Sequence, residues 1–257
     1  MSGHRPGRPP PRGVVLDTDG VLLDSAAFHA TAWKAAFDAC LAERASGEES
    51  WKPFDADADY RRFVDGKSRY DGAEAFLAAR GIRLSPGPQD ASPGCDTVRA
   101  VAACKEREYQ NLLREKPVAA FEDAVQALTA LRSLGVPCAA VSASRHARPL
   151  LAAAGLDRLL TAVVDGADAT RLGLPGKPDP ALFLCASGLL RIRPADGAVV
   201  EDALAGVSAG RDGRFGLVVG VDRTADRSRT APLREHGAGL VVADLAELVA
   251  TVWGGVP

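Results

Sequence analysis

The sequence carries no excess of positive charge: 31 lysines and arginines stand against 33 acidic residues, a formal net charge of -2, and the basic residues are scattered. A nucleic-acid binder needs a concentrated basic patch, so that class is set aside and a small-molecule partner fits better. Cysteine offers no scaffold either. Cys40, Cys95, Cys104, Cys138 and Cys185 are odd in number and contain no Cys-x-x-Cys pair, which argues against a disulfide framework or a zinc site and for reduced thiols. No apolar run approaches the ~18 residues that a membrane-spanning helix needs. The opening Met1 to Arg12 is basic and proline-rich with no apolar stretch behind it, so it reads as a disordered tail rather than a secretory leader. Internal repeats are lacking. These absences leave the expectation of a soluble, cytoplasmic monomer that engages a small molecule, with neither nucleic acid nor membrane as partner.

What is present points to an α/β fold. The 257 residues, 47% hydrophobic and 25% charged, suffice for one large core or a core plus a smaller domain. From Phe121 onward, short apolar runs (VPCAAVS, AVV, GAVVE, GLVVGV, GLVVAD) alternate with Ala/Leu-rich amphipathic stretches. Strands of a parallel sheet are covered on both faces and therefore read as continuously hydrophobic, so the alternation predicts a Rossmann-like, doubly wound parallel sheet. Val14 to Leu16 belongs to the same set although it lies over a hundred residues earlier. Between them, residues 26–116 are rich in Ala, Glu, Lys and aromatics and lack such runs. The expectation is a tail over 1–12, a core from 13–25 and 117–257, and an all-helical cap inserted over 26–116.

The first apolar run ends in Asp17-Thr18-Asp19-Gly20. Two carboxylates at alternate positions after a buried strand emerge at its carboxyl end, where ligands bind in open parallel sheets. One could attack phosphorus and the other shuttle a proton, with Mg²⁺ screening the approach of anion to anion. Taken alone, the pair reads equally well as an Asx turn or a helix cap. Later segments add weight to the chemical reading. Ser142-Ala143-Ser144-Arg145 follows the next apolar run, where hydroxyl and backbone N–H groups at a helix start could cradle phosphate oxygens or simply cap the helix. Gly176-Lys177-Pro178 fixes one lysine in a rigid loop before a helix, either a solvated surface lysine or a neutraliser of the transferring group. Val199-Val200 ends in Glu201-Asp202, a second acidic pair suited to a hard cation. The expectation is that four strand ends carry acid pair, hydroxyl, lysine and acid pair in turn.

This combination resembles the haloacid dehalogenase superfamily from Gly13 to about Val252. The resemblance implies an aspartyl-phosphate on Asp17, with Asp19 as acid/base and as a Mg²⁺ ligand through its backbone carbonyl. It also implies phosphoryl stabilisation by Ser142 and Lys177, and a metal site from Asp17, Asp19, Glu201 and Asp202. Within that superfamily, Asp24 to Trp33 is similar to the β-phosphoglucomutase subgroup, in which a histidine at the position of His29 couples cap closure to proton transfer. Asp65-Gly66-Lys67-Ser68-Arg69 resembles its substrate loop, whose arginine grips the second phosphate. Lys105 falls where the subgroup pairs a lysine with that histidine.

Three departures stand out: Glu106 and His146 replace usual asparagines, and Thr18 replaces an apolar residue. The leading expectation is isomerisation of β-D-glucose 1-phosphate to glucose 6-phosphate, with glucose 1,6-bisphosphate as activating donor. A sugar- or cyclitol-phosphate phosphatase on the same core is the alternative. A non-catalytic phosphosugar-binding protein is the third reading.

Overall fold

The structure is a computed structural model and describes residues 9–45 and 52–254. Most of the expected tail, residues 1–8, therefore lies outside the described residues. Arg12 does not fit the tail reading, because its backbone N–H donates to the Asp196 carbonyl at 2.8 Å and so joins the core.

Among the described residues six short strands form one parallel sheet: β1 (Val14–Asp17), β2 (Cys138–Val141), β3 (Ala162–Val164), β4 (Ala198–Glu201), β5 (Leu217–Val221) and β6 (Leu240–Val242). Their order is β3-β2-β1-β4-β5-β6, the doubly wound arrangement that the alternation of apolar runs predicts. Strands β1, β2 and β4 are buried at every position, which is why they read as unbroken apolar runs. Register aligns Leu16 with Ala140 on one side and with Val200 on the other, so the carboxyl ends of β2, β1 and β4 lie side by side. The chain winds outward from β1 to β3 in one direction and from β4 to β6 in the other. The β1/β4 seam is therefore the switch point at which such sheets bind ligands.

The chain divides into two compact units, Met1–Asp24 with Ala119–Pro257, and Ser25–Val118. The second contains α1 (Ala26–Arg44), α2 (Arg69–Ala79) and α3 (Val98–Glu115), with a single π-helical turn at Tyr60–Val64. An isolated bridge between Ser85 and Thr97 is a small departure from an all-helical insertion. Its core stacks aromatics: Trp33 on Phe37 at 4.7 Å, and Phe37 on Phe76 at 4.2 Å.

The sheet unit contains α4 (Glu122–Ser133), α5 (Ala147–Ala153), α6 (Gly166–Leu172), α7 (Ala181–Leu189), α8 (Leu204–Asp212), α9 (Thr230–His236) and α10 (Leu245–Trp253). Its principal core joins Val15, Val141, Phe183 and Val199 with Val207 and Leu233.

Candidate active site

Asp17 is the last residue of β1, and the chain turns sharply immediately after it. Thr18 donates its hydroxyl to the Val141 carbonyl at 3.0 Å, pinning the turn to the end of β2, and its own carbonyl accepts from Leu22 and Leu23. Gly20 is required in this turn because its φ is +82° and a Cβ there would collide with the Asp202 carboxylate. Arg223 braces the turn from the far side, donating to the carbonyls of Gly20 and Val21 at 3.1 and 3.0 Å while pairing with Asp123 and lying over the Phe121 ring.

Six of the residues singled out in the sequence meet here: Asp17, Asp19, Ser142, Lys177, Glu201 and Asp202. The Lys177 ammonium, 1% exposed, donates to both Asp17 and Glu201. Glu201 is fully buried and accepts a second hydrogen bond from the Ala203 N–H at 2.7 Å. Ser142 donates to the Asp19 carboxylate at 2.9 Å. Asp202 lies 3.6 Å from the Arg229 guanidinium. Gly206 on α8 makes the arrangement possible, since any side chain there would occupy the volume of the Glu201 carboxylate. Burial drives the Asp17 carboxyl well above the ordinary aspartate range; Lys177 pulls it back, while Glu201 and Asp19 push it up again. For Lys177, burial alone would depress the value, but Asp17 and Glu201 outweigh it and hold the ammonium protonated.

One ammonium thus serves two buried carboxylates. Single oxygens of Asp17, Glu201 and Asp202 lie within 4.8 Å of one another. An oxygen-only, anionic set of this kind fits a hard divalent cation.

The remaining expectations divide. Lys177 is not at a strand end: β3 stops at Val164, α6 intervenes, and the lysine enters from the α6–α7 loop. The requirement was for a fixed charge near β1 and β4, which a long side chain meets from a loop. Ser142 to Arg145 do not begin a helix, since α5 starts only at Ala147. Instead the Ser144 N–H donates to Ser142 Oγ at 3.0 Å and the His146 N–H to Ser144 Oγ at 3.2 Å, a chain of local side-chain turns that leaves Ala143 between them. Arg145 is exposed and reaches the Thr170 hydroxyl at 3.2 Å on α6.

Within the inserted unit, Lys105 Nζ lies 2.9 Å from His29 Nδ1 and 4.1 Å from the centre of the Tyr109 ring, on which His29 stacks. Gly66 takes φ +71° in the turn before α2. Arg69, the first residue of α2, pairs with Glu106 at 2.9 Å.

Sequence reasoning did not find Gly206, Arg223 or Arg229 as parts of the site. Glycines and arginines are frequent and scattered, and nothing local distinguishes these three.

Comparison with known proteins agrees with this geometry. Residues 11–213 match the family described as haloacid dehalogenase-like hydrolase. A β-phosphoglucomutase of Mycobacterium tuberculosis is 44% identical over 239 residues, 93% of this chain and 91% of that protein. The β-phosphoglucomutase of Bacillus subtilis is 30% identical over 211 residues, covering 81% and 83%. A crystal structure of β-phosphoglucomutase from Clostridium difficile shares the fold, with a TM-score of 0.71 at 22% identity over 92% of each chain. With an acidic switch-point site on a doubly wound sheet and relatives of this kind, the chain belongs to the haloacid dehalogenase-like hydrolases and is an enzyme of their β-phosphoglucomutase-like branch.

Proposed function

We propose that this protein interconverts β-D-glucose 1-phosphate and glucose 6-phosphate by Mg²⁺-dependent phosphoryl transfer through Asp17, primed by glucose 1,6-bisphosphate. The observation that carries the reading is the buried Asp17–Lys177–Glu201 constellation beside the Ser142–Asp19 pair. Asp17 has one carboxylate oxygen held by Lys177, a placement that suits in-line attack on phosphorus. In that step the bond from Asp17 to phosphorus forms, the bond from phosphorus to the sugar oxygen breaks, and Asp19 delivers the proton that the departing oxygen needs. With the bisphosphate as donor a glucose monophosphate departs. Phosphorylated Asp17 then passes the group to the free hydroxyl of β-glucose 1-phosphate, the aspartyl–phosphorus bond breaking, the bisphosphate re-forming and the hydroxyl proton going to Asp19. Ser142 orients Asp19 through its hydrogen bond.

Asp17, Asp202 and Glu201 would hold Mg²⁺ together with the Asp19 carbonyl that the family resemblance assigns; when bound, the cation supplies charge neutralisation for the transferring group. Lys177, bonded to Asp17 and Glu201, supplies fixed positive charge beside the transferring group. His29 and Lys105 act as a coupled pair and Arg69 as the anchor for the phosphate that is not transferred. A monomer acting on one small phosphosugar in the cytoplasm completes the reading.

A phosphatase is the second reading, and one contact favours it: the anchor arginine is already engaged by Glu106. One assay separates the two. With Mg²⁺ and β-glucose 1-phosphate, a mutase forms glucose 6-phosphate, faster with glucose 1,6-bisphosphate and without free phosphate. Stoichiometric release of phosphate refutes it.

A further inference from the structure

Glu106 is held in a defined position between two partners. Its Oε2 accepts from Arg69 Nη1 at 2.9 Å and its Oε1 from Gln110 Nε2 at 2.8 Å, one turn further along α3. The two charged side chains are 20% and 21% exposed, so neither is a freely solvated surface group. Arg69 opens α2 directly after the N-cap Ser68, whose hydroxyl accepts from the Asp71 N–H and so fixes the start of the helix. In this geometry Glu106 presents to Arg69 one anionic oxygen, as a phosphate oxygen would, while its other oxygen is held by Gln110.

We propose that Glu106 is a specificity-determining residue that competes with the substrate's non-transferring phosphate for Arg69. The inference rests on the proposed role of Arg69. Binding a second phosphate then requires the Arg69–Glu106 pair to part, or the guanidinium to be shared while two anions approach each other. Either route makes the anion subsite weaker than Arg69 alone would make it. Ligands with a single phosphate at the reacting end do not meet this penalty, and Glu106 thereby narrows the advantage of bisphosphorylated over monophosphorylated ligands.

Glu106→Gln keeps the shape and a hydrogen bond to Gln110 or Arg69 while removing the charge. The test is calorimetric titration of the full-length protein with glucose 1,6-bisphosphate in the presence of Mg²⁺. All proteins carry Asp17→Asn so that transfer does not follow binding. Glu106→Gln should tighten binding roughly three- to tenfold, the span expected for releasing a partly exposed ion pair. Inorganic phosphate should bind equally to both proteins at the reacting end. In an Arg69→Ala background the gain should vanish.

Unchanged or weaker binding by Glu106→Gln, or a gain that persists without Arg69, would overturn the proposal. Glu106→Ala, which needs no substitute hydrogen bond, should give the same direction, and matching thermal midpoints guard against misfolding. The product assay on the unmodified enzyme decides the mutase reading separately, so the failure of one is distinguishable from failure of the other.

Discussion

Asp17, the proposed nucleophile, is surrounded by groups that pull its proton in opposite directions. Burial raises its carboxyl well above the ordinary aspartate range, and the Lys177 ammonium opposes that rise. Asp17→Asn should therefore abolish phosphoenzyme formation, measured as incorporation of labelled phosphoryl from glucose 1,6-bisphosphate; retained label would transfer the nucleophilic role to another residue. Gly206 acts by leaving space. A methyl group there would drive into the Glu201 carboxylate, so Gly206→Ala should destabilise the fold by about 1–3 kcal/mol through overpacking and should also displace a partner of Lys177. Urea denaturation together with activity reads both effects, and an unaltered midpoint would refute the packing argument.

At the scale of elements, the carboxyl ends of the strands are held in place by polar joints rather than by further sheet. Helix α6 shows how. Asp165 caps it, accepting from the N–H groups of Ala167 and Asp168 at 2.9 and 3.0 Å, and Asp168 closes the capping box by accepting from the Asp165 N–H. Arg148 on α5 ties both carboxylates to the Val163 carbonyl of β3.

Burial would raise the Asp168 carboxyl, but Arg171 and Arg148 outweigh it and lower it from 3.8 to about 2. A depressed carboxylate contributes stability that is fully present above its ordinary value and is lost as pH falls through the folded value. Asp168→Asn should therefore be less stable than the parent at pH 6, and the gap should close between pH 3.8 and about 2. Both arginines are more than half exposed, so added salt should shrink the gap. Urea midpoints across that range test the claim, and a gap independent of pH would contradict it.

For the whole molecule, the proposed cation site would couple ligation to folding. A divalent cation that binds the assembled site and not the unfolded chain stabilises by mass action, about 2.7 kcal/mol at a hundredfold excess over its dissociation constant. Millimolar Mg²⁺ should raise the thermal midpoint, and Asp202→Asn should remove most of that rise while leaving the midpoint without Mg²⁺ little changed. Equal shifts in both proteins would remove Asp202 from the cation site.

The fold class and most of the candidate site were legible in the residue pattern. Buried parallel strands must be apolar throughout, so Val14 to Leu16 and Val199 to Val200 mark themselves, and any polar residue directly following them must lie at the sheet's carboxyl edge. Asp17, Asp19, Ser142, Glu201 and Asp202 were legible for that reason. Lys177 was legible as a fixed charge but not in its origin, because a loop lysine reaches its target through side-chain length rather than through strand register.

Which strands adjoin β1 was settled by the packing of the folded chain. It placed β4 there across nearly two hundred residues of chain and so created the switch point. The same packing assigned Gly20 and Gly206 their spaces and joined Arg69 to Glu106. Gly20 against Asp202 and Arg69 against Glu106 are remote in sequence, and even Gly206 against Glu201 is set by how the helix packs on the strand end; no local pattern of hydrophobicity or turn chemistry records these contacts.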